Sequence, residues 1–390
     1  MKILFVGGSW AYTESEIPKA SGVVTQCVAA LRLAGHLVNA YNGGNYTDLE
    51  EIITTTSAYD VVFWWPNVSN NAPKMRDVKE VAPRVMLVTS KRNDDDKYSF
   101  MELVQRSLAV KANLTVEFKK KDAGKPFALM VFDPLGCAWY KGDNLSEAMR
   151  QTANRLEFLC GITRQSTTPD HQGDKNLILS WYFDQSKQNM YASDREVVVP
   201  NSERFIALVK EYGERFHEIM MPAKHVVRFL GNASMRSAPP QVGRCSKGMP
   251  SFRCGEYIFV SQRNVNKEFI DLSHFVPTYL ANDKVYYCGE NKPSVDTPIQ
   301  LRLYKALPNI NYMIHSHCYV EGASFTTTSV PCGAIEEVNE VLAALNENYG
   351  TLCGGRYVLN LVGHGSLIMG KNVDDLEGII YYGRQLPEFI

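Results

Sequence analysis

The chain has 390 residues, 45% hydrophobic and 21% charged, which is enough for two or three separate cores in an ordinary globular protein. A formal net charge of −1 excludes a partner selected by bulk electrostatics, so neither nucleic acid nor an anionic membrane surface is expected. No apolar run is long enough to span a bilayer, and nine scattered cysteines without a CxxC pair fit a reducing, cytoplasmic setting better than a disulfide framework.

In chain order, "KILFVGG" is a continuous apolar run ending in glycines, as expected of a strand buried on both faces. It lacks the length and cleavage site of a signal peptide. "GVVTQCVAALRLAG" has helical spacing with Gly35 as its stop. "HLVNAYNGG" is a second strand, and "TDLEEIITTTSA" opens a helix with Thr47 as cap and an acidic first turn. The strand "YDVVFWWPN", a helix around "KMRDVKEVAP", the strand "RVMLVTS", the helix "SFMELVQRSLAVKA" and the strands "NLTVEFKKK" and "KPFALMVFDP" follow. "LSEAMRQTANRLEFLCGI" closes this half as an amphipathic helix. The alternation predicts a doubly wound parallel sheet, a Rossmann- or flavodoxin-like α/β domain over residues 1–165.

Ligands of such sheets sit beyond the carboxyl ends of the strands, here at Gly7, Gly8 and Ser9, at Asn42 to Asn45, and at Pro66 to Ser69. Neither GxGxxG nor GxxxxGK[ST] occurs, so a phosphate cradle and a plain glycine turn both stay open. The start is similar to the first half of a two-domain nucleotide-sugar glycosyltransferase, but no second such domain follows. The runs "RNDDDK" and "KKKD" are expected to be solvated. Residues 166–200 form a linker and unassigned segment, with "RQSTTPDHQGDKN" as its polar core.

From Asn201 onward the pattern changes, and residues 201–390 read as a second domain. "SERFIALVKEYGERFHEIM" is a helix capped by Ser202, and "GNASMR", "EYIFVS" and "NYMIHSH" are strands. Only eight histidines occur in the chain, and two of them, His315 and His317, end one strand. Residues i and i+2 of a strand face the same way, so both rings can reach one ion. His364 follows in "LVGHGSLIMG", at a strand end flanked by glycines. Asp296 stands at the start of the helix "TPIQLRLYKAL". Three imidazoles and a carboxylate are ligands that suit zinc or a similar divalent ion. Alternation puts Cys318 on the face opposite the histidines.

The pieces "GNASMR", "KPSVDTPIQLRLYKALP", "MIHSH", "VPC" and "GHGSLIMGKNVDD", in that order, resemble the class II aldolase/adducin family. The resemblance covers roughly Ser202 to Pro387. Within the family, "KPSVDTPIQLRLYKALPNINYMIHSH" is most similar to L-ribulose-5-phosphate 4-epimerase. The resemblance implies an α/β/α domain with a mainly antiparallel central sheet. It implies a divalent metal, zinc favoured, on His315, His317, His364 and Asp296, with Asp296 at the catalytic carboxylate position as well. It further implies substrate contacts from Asn232 and Ser294, retro-aldol or enediolate chemistry on a sugar or sugar phosphate, and a homo-oligomer, a tetramer favoured.

Departures from the family pattern are equally specific. Arg263 and Asn264 replace a Ser-Gly pair, Val295 replaces a serine, and Arg263 offers a charged substitute for the lost phosphate contacts. The link after the histidine pair is only "CYVEGASFTTTS", and the tail that bears a catalytic tyrosine is missing. Tyr381 and Tyr382 are expected to pack inside a final helix. The catalytic acid/base residue is unassigned: Glu321, four residues beyond His317, and Glu336 or Glu337 after "VPCGA" are candidates, each of which also reads as a solvated surface glutamate. The second reading is a non-catalytic aldolase-like oligomerisation or interaction module fused to a nucleotide- or nucleotide-sugar-binding domain.

Overall fold

The computed structural model describes residues 1–7, 22–42, 59–65, 85–110, 112–120, 127–134, 138–165, 190–195, 197–220, 231–236, 257–328, 330, 333, 335–349 and 355–382. The described elements fall into two compact units, divided between Asp184 and Gln185. No described helix is long and apolar enough to cross a membrane.

The first unit contains β1 (Lys2–Gly7), α1 (Gly22–Leu33), β2 (Leu37–Asn42), β3 (Val61–Trp65), β4 (Val85–Arg92) and α2 (Phe100–Ala109). It continues with β5 (Leu114–Lys120), β6 (Phe127–Phe132), β7 (Ala138–Gly142) and α3 (Leu145–Gln165). The seven strands lie in the order β2-β1-β3-β4-β5-β6-β7. The first five are parallel, and their order is that of a doubly wound sheet. β5, β6 and β7 then run antiparallel, because the six residues between β5 and β6 are too few for the crossover a parallel pair needs.

Both faces of this sheet are buried, which is why its strands are apolar without alternation. Ile3, Phe5, Val61 and Phe63 pack with α1 and α3 on one face; Leu4, Val6, Val62 and Trp64 form a second cluster on the other. Each such side chain contributes roughly 1.5–3 kcal/mol by leaving water. Gly35 adopts φ +87 beyond the end of α1, as its place after a helical run predicts. Gly7 and Asn42 end their strands at the carboxyl edge. Gly8, Ser9, Gly43 to Asn45 and Pro66 to Ser69 lie outside the described residues, as do the helices expected around "TDLEEIITTTSA" and "KMRDVKEVAP" and most of the linker.

The second unit contains β8 (Met190–Ser193), α4 (Glu203–Met220), β9 (Asn232–Arg236), β10 (Ile258–Ser261), β11 (Phe275–Ala281) and β12 (Lys284–Cys288). Then come α5 (Thr297–Ala306), β13 (Tyr312–Ser316), β14 (Tyr319–Val320), β15 (Ser324–Phe325), α6 (Glu337–Tyr349), β16 (Arg356–Leu361), β17 (Gly365–Gly370) and β18 (Tyr381–Tyr382). Nine strands form a sheet in the order β15-β16-β17-β13-β9-β10-β11-β12-β8. All pairings from β16 to β12 are antiparallel, and only the two outermost are parallel. This is the mainly antiparallel centre that the sequence predicts.

Helices cover both faces. α5 and α6 bury Ile299, Leu303, Val341 and Leu345 against Val260, Val276, Met313 and Leu367. On the alternate face, Phe205 of α4 packs against Phe275 and Tyr312 at ring centroid distances of 6.2 and 4.9 Å. One expectation is corrected. Tyr381 and Tyr382 form the short strand β18 paired with β14, not part of a helix, because Val320 and Tyr319 offer them a backbone edge. Tyr381 does pack as expected, edge-on against Phe216 and Tyr212.

Candidate metal centre

The antiparallel register gathers several strand ends at one end of the second sheet. His315 lies near the end of β13, opposite Asn232 at the start of β9 and Leu367 near the start of β17. His317 follows β13 by one residue, and His364 precedes β17 by one. Two glycines allow this crowding. A side chain on Gly365 would put its Cβ 1.9 Å from the Ser316 carbonyl oxygen. Gly231 has φ +80, and a Cβ there would stand 2.6 Å from the His315 carbonyl oxygen.

The result is a cluster of three buried imidazoles. One ligand nitrogen from each of His315, His317 and His364 lies within 4.8 Å of the others. Ring centroids are 5.0, 4.5 and 5.0 Å apart. His315 Nδ1 is 2.9 Å from the Ser366 carbonyl oxygen. A carbonyl only accepts, so Nδ1 carries the proton and Nε2 keeps its lone pair. His364 Nδ1 is bonded to Glu337 Oε1 at 2.5 Å. Burial pushes the Glu337 carboxyl well above the usual carboxylate range. A carboxylate or carbonyl behind an imidazole is the usual support of a metal-ligating histidine.

Asp296 Oδ2 stands 3.9 Å from His315 Nε2. Asp296 is the N-cap residue of α5, yet its side chain makes no cap hydrogen bond. It accepts instead from Asn232 Nδ2 at 2.8 Å, and Asn232 Oδ1 accepts from Gln300 Nε2. The donor set is three imidazoles with the Asp296 carboxyl group beside them, which fits a divalent cation of borderline softness.

The other expected residues are placed as follows. Ser294 is buried in the turn entering α5, where its carbonyl accepts from Thr297 Oγ1 at 2.6 Å and its N–H donates to Ser261. Arg263 is half-buried in the loop after β10, and its N–H donates to the Lys292 carbonyl, so this loop runs beside the one that carries Ser294 and Asp296. Asn264 next to it has φ +61, a conformation glycine adopts freely and asparagine tolerates. Glu321 is exposed, and its N–H donates to the Ile380 carbonyl of the β18 segment. Among the described hydrogen bonds it makes none to the histidines. Cys318 is buried beside Ser316, outside the histidine cluster.

Two neighbours were not assigned these places from sequence. Glu337 was one acid/base candidate among several, and its contact with His364 depends on how α6 packs. Lys267 stands in a polar loop of the sequence. It is 4% exposed, and burial pulls its ammonium down to about 7, with the nearby Asp296 charge pulling the other way. No sequence signal marks it, because a lysine in "NVNKEF" is ordinarily solvated.

Residues 215–382 match the sequence model of the family described as Class II Aldolase and Adducin N-terminal domain. The second unit thus carries a class II aldolase-type domain. No curated protein matches the chain. Among solved structures, the DNA/Pantothenate Metabolism Flavoprotein from Streptococcus pneumoniae is similar over 40% of this chain and 99% of that one, at 12% identity and a TM-score of 0.31.

Proposed function

We propose that the second unit is a metal-dependent enzyme of aldolase or epimerase type that acts on a sugar or sugar phosphate. The observation that carries this reading is the convergence of three buried imidazoles, two of them bonded through Nδ1 to buried oxygens of Ser366 and Glu337. His315, His317 and His364 would hold a divalent ion, zinc favoured, with Asp296 as the carboxylate beside it. Such an ion supplies Lewis acidity to a carbonyl substrate and favours the enediolate charge that C–C cleavage leaves behind.

The chain's own groups divide the remaining work. Glu337 and the Ser366 carbonyl keep the rings of His364 and His315 turned inward. Asn232 and Ser294 line the Asp296 side, and the Arg263 guanidinium would meet a substrate phosphate. Glu321 is the proposed proton carrier. The active form is a homo-oligomer, a tetramer favoured. Elemental analysis of protein purified without chelators tests the reading. One equivalent of metal in the wild type, lost in His315→Ala and His364→Ala together with carbonyl-substrate turnover, is expected. A metal-free wild type that no added zinc, manganese or cobalt restores would sink it.

A non-catalytic module is the second reading, favoured by the exposed Glu321, which has no described hydrogen bond to the histidines. Stoichiometric metal with no turnover of any sugar or sugar phosphate would decide for it.

A further inference from the structure

Behind the histidines, Asn232 is backed by a second buried amide, Gln300, which the family pattern does not single out. Gln300 is on the first turn of α5, four residues after Asp296, so the two share one side of the helix. It is 2% exposed, and a buried amide costs free energy unless it is hydrogen-bonded. Its neighbours along the buried side of α5 include Ile299, Leu301 and Leu303, which an aliphatic residue would match. Gln300 Nε2 donates to Asn232 Oδ1, Asn232 Nδ2 donates to Asp296 Oδ2 at 2.8 Å, and that oxygen stands 3.9 Å from His315 Nε2.

The polarity of this run follows from the carboxylate, which only accepts. An amide has one accepting and one donating side. The Asn232 nitrogen therefore faces Asp296 and its carbonyl faces α5, where only a donor such as Gln300 Nε2 satisfies it and holds the Asn232 amide in place. The carboxylate is thereby drawn from the helix-capping contact that an N-cap aspartate normally makes and held on the His315 side.

We propose that Gln300 is a positioning residue which, through Asn232, holds the Asp296 carboxylate facing the three histidines, so that the centre binds a divalent cation with a fixed fourth group. This rests on the metal reading above. Gln300 touches neither substrate nor ion. Its effect is on where a neighbouring charge points.

The test uses the full chain, zinc and cobalt. Q300E keeps the volume but replaces the donor by an acceptor, which reverses the run; Q300L removes it. Both, checked for folding by circular dichroism, are expected to bind zinc about 10- to 100-fold more weakly than wild type. Their cobalt forms should show the changed visible absorption of D296N. Added to D296N, Q300E should cost little more, since both act on one group. Two outcomes overturn the proposal alone: wild-type affinity and cobalt spectrum in a folded Q300E or Q300L, or full additivity with D296N. If either variant fails to fold, the other and the D296N comparison still decide. A wild type that binds neither zinc nor cobalt overturns the metal reading, and this proposal with it.

Discussion

Glu337 Oε1 and His364 Nδ1 lie 2.5 Å apart, both on side chains buried from water. The contact joins the first turn of α6 to the residue just before β17. A ring held this way has one direction in which to offer Nε2. Glu337→Leu, which removes the oxygen behind the ring, is expected to weaken zinc binding about 10- to 100-fold. Competition against a chromophoric chelator measures it. Unchanged affinity would separate Glu337 from the centre.

Gly365 is the tightest point of the site. A methyl group there meets the Ser316 carbonyl oxygen at 1.9 Å and His317 Cα at 2.7 Å, so β13 and β17 must separate. Gly365→Ala is expected to cost about 3 kcal/mol by overpacking and to abolish metal binding. Urea denaturation with and without zinc reads both effects. A variant of wild-type stability would show that the strands have room.

Lys267 gives a pH dependence with a definite sign. Its folded pKa is about 7, below the ordinary lysine value, because burial penalises the charge. Between pH 7 and about 10.4 the unfolded chain therefore binds more protons than the folded one. Stability should rise with pH through that window, by at most ~1.4 kcal/mol per pH unit. Lys267→Met removes the penalty and should flatten the rise. Denaturation midpoints at pH 7, 8 and 9 on both proteins check it, and parallel curves would count against it.

Asn264 tests the departure from the family loop. With φ +61 it sits where a Cβ is costly. Asn264→Gly should leave stability within about 0.5 kcal/mol, whereas Asn264→Val should lose about 1–2 kcal/mol. Thermal unfolding of the pair distinguishes them, and equal losses would place the strain elsewhere.

The sequence reveals unequal amounts of this. Apolar runs such as "KILFVGG" and "VVFWW" show strands but not direction, so the antiparallel end of the first sheet is legible only from the short link between Lys120 and Phe127. His315 and His317 are legible because strand periodicity alone puts i and i+2 on one side. His364 needs the glycines beside it to be noticed. Glu337, Lys267 and Gln300 carry no such mark. Their places are set by helix and loop packing, which no local pattern encodes. Tyr381 and Tyr382 misled for the same reason, since a two-residue strand exists only through its partner at Tyr319.

The order β17-β13-β9-β10 also governs when the centre can form during folding. Its groups start from Asn232, Asp296, His315, Glu337 and His364, and only completion of the sheet brings them together. No early hairpin contains more than a fragment of the set. Loop closure must be paid over long chain separations before these contacts give anything back, so this unit should fold slowly for its size. During synthesis, the half-built centre stays open until β17 docks.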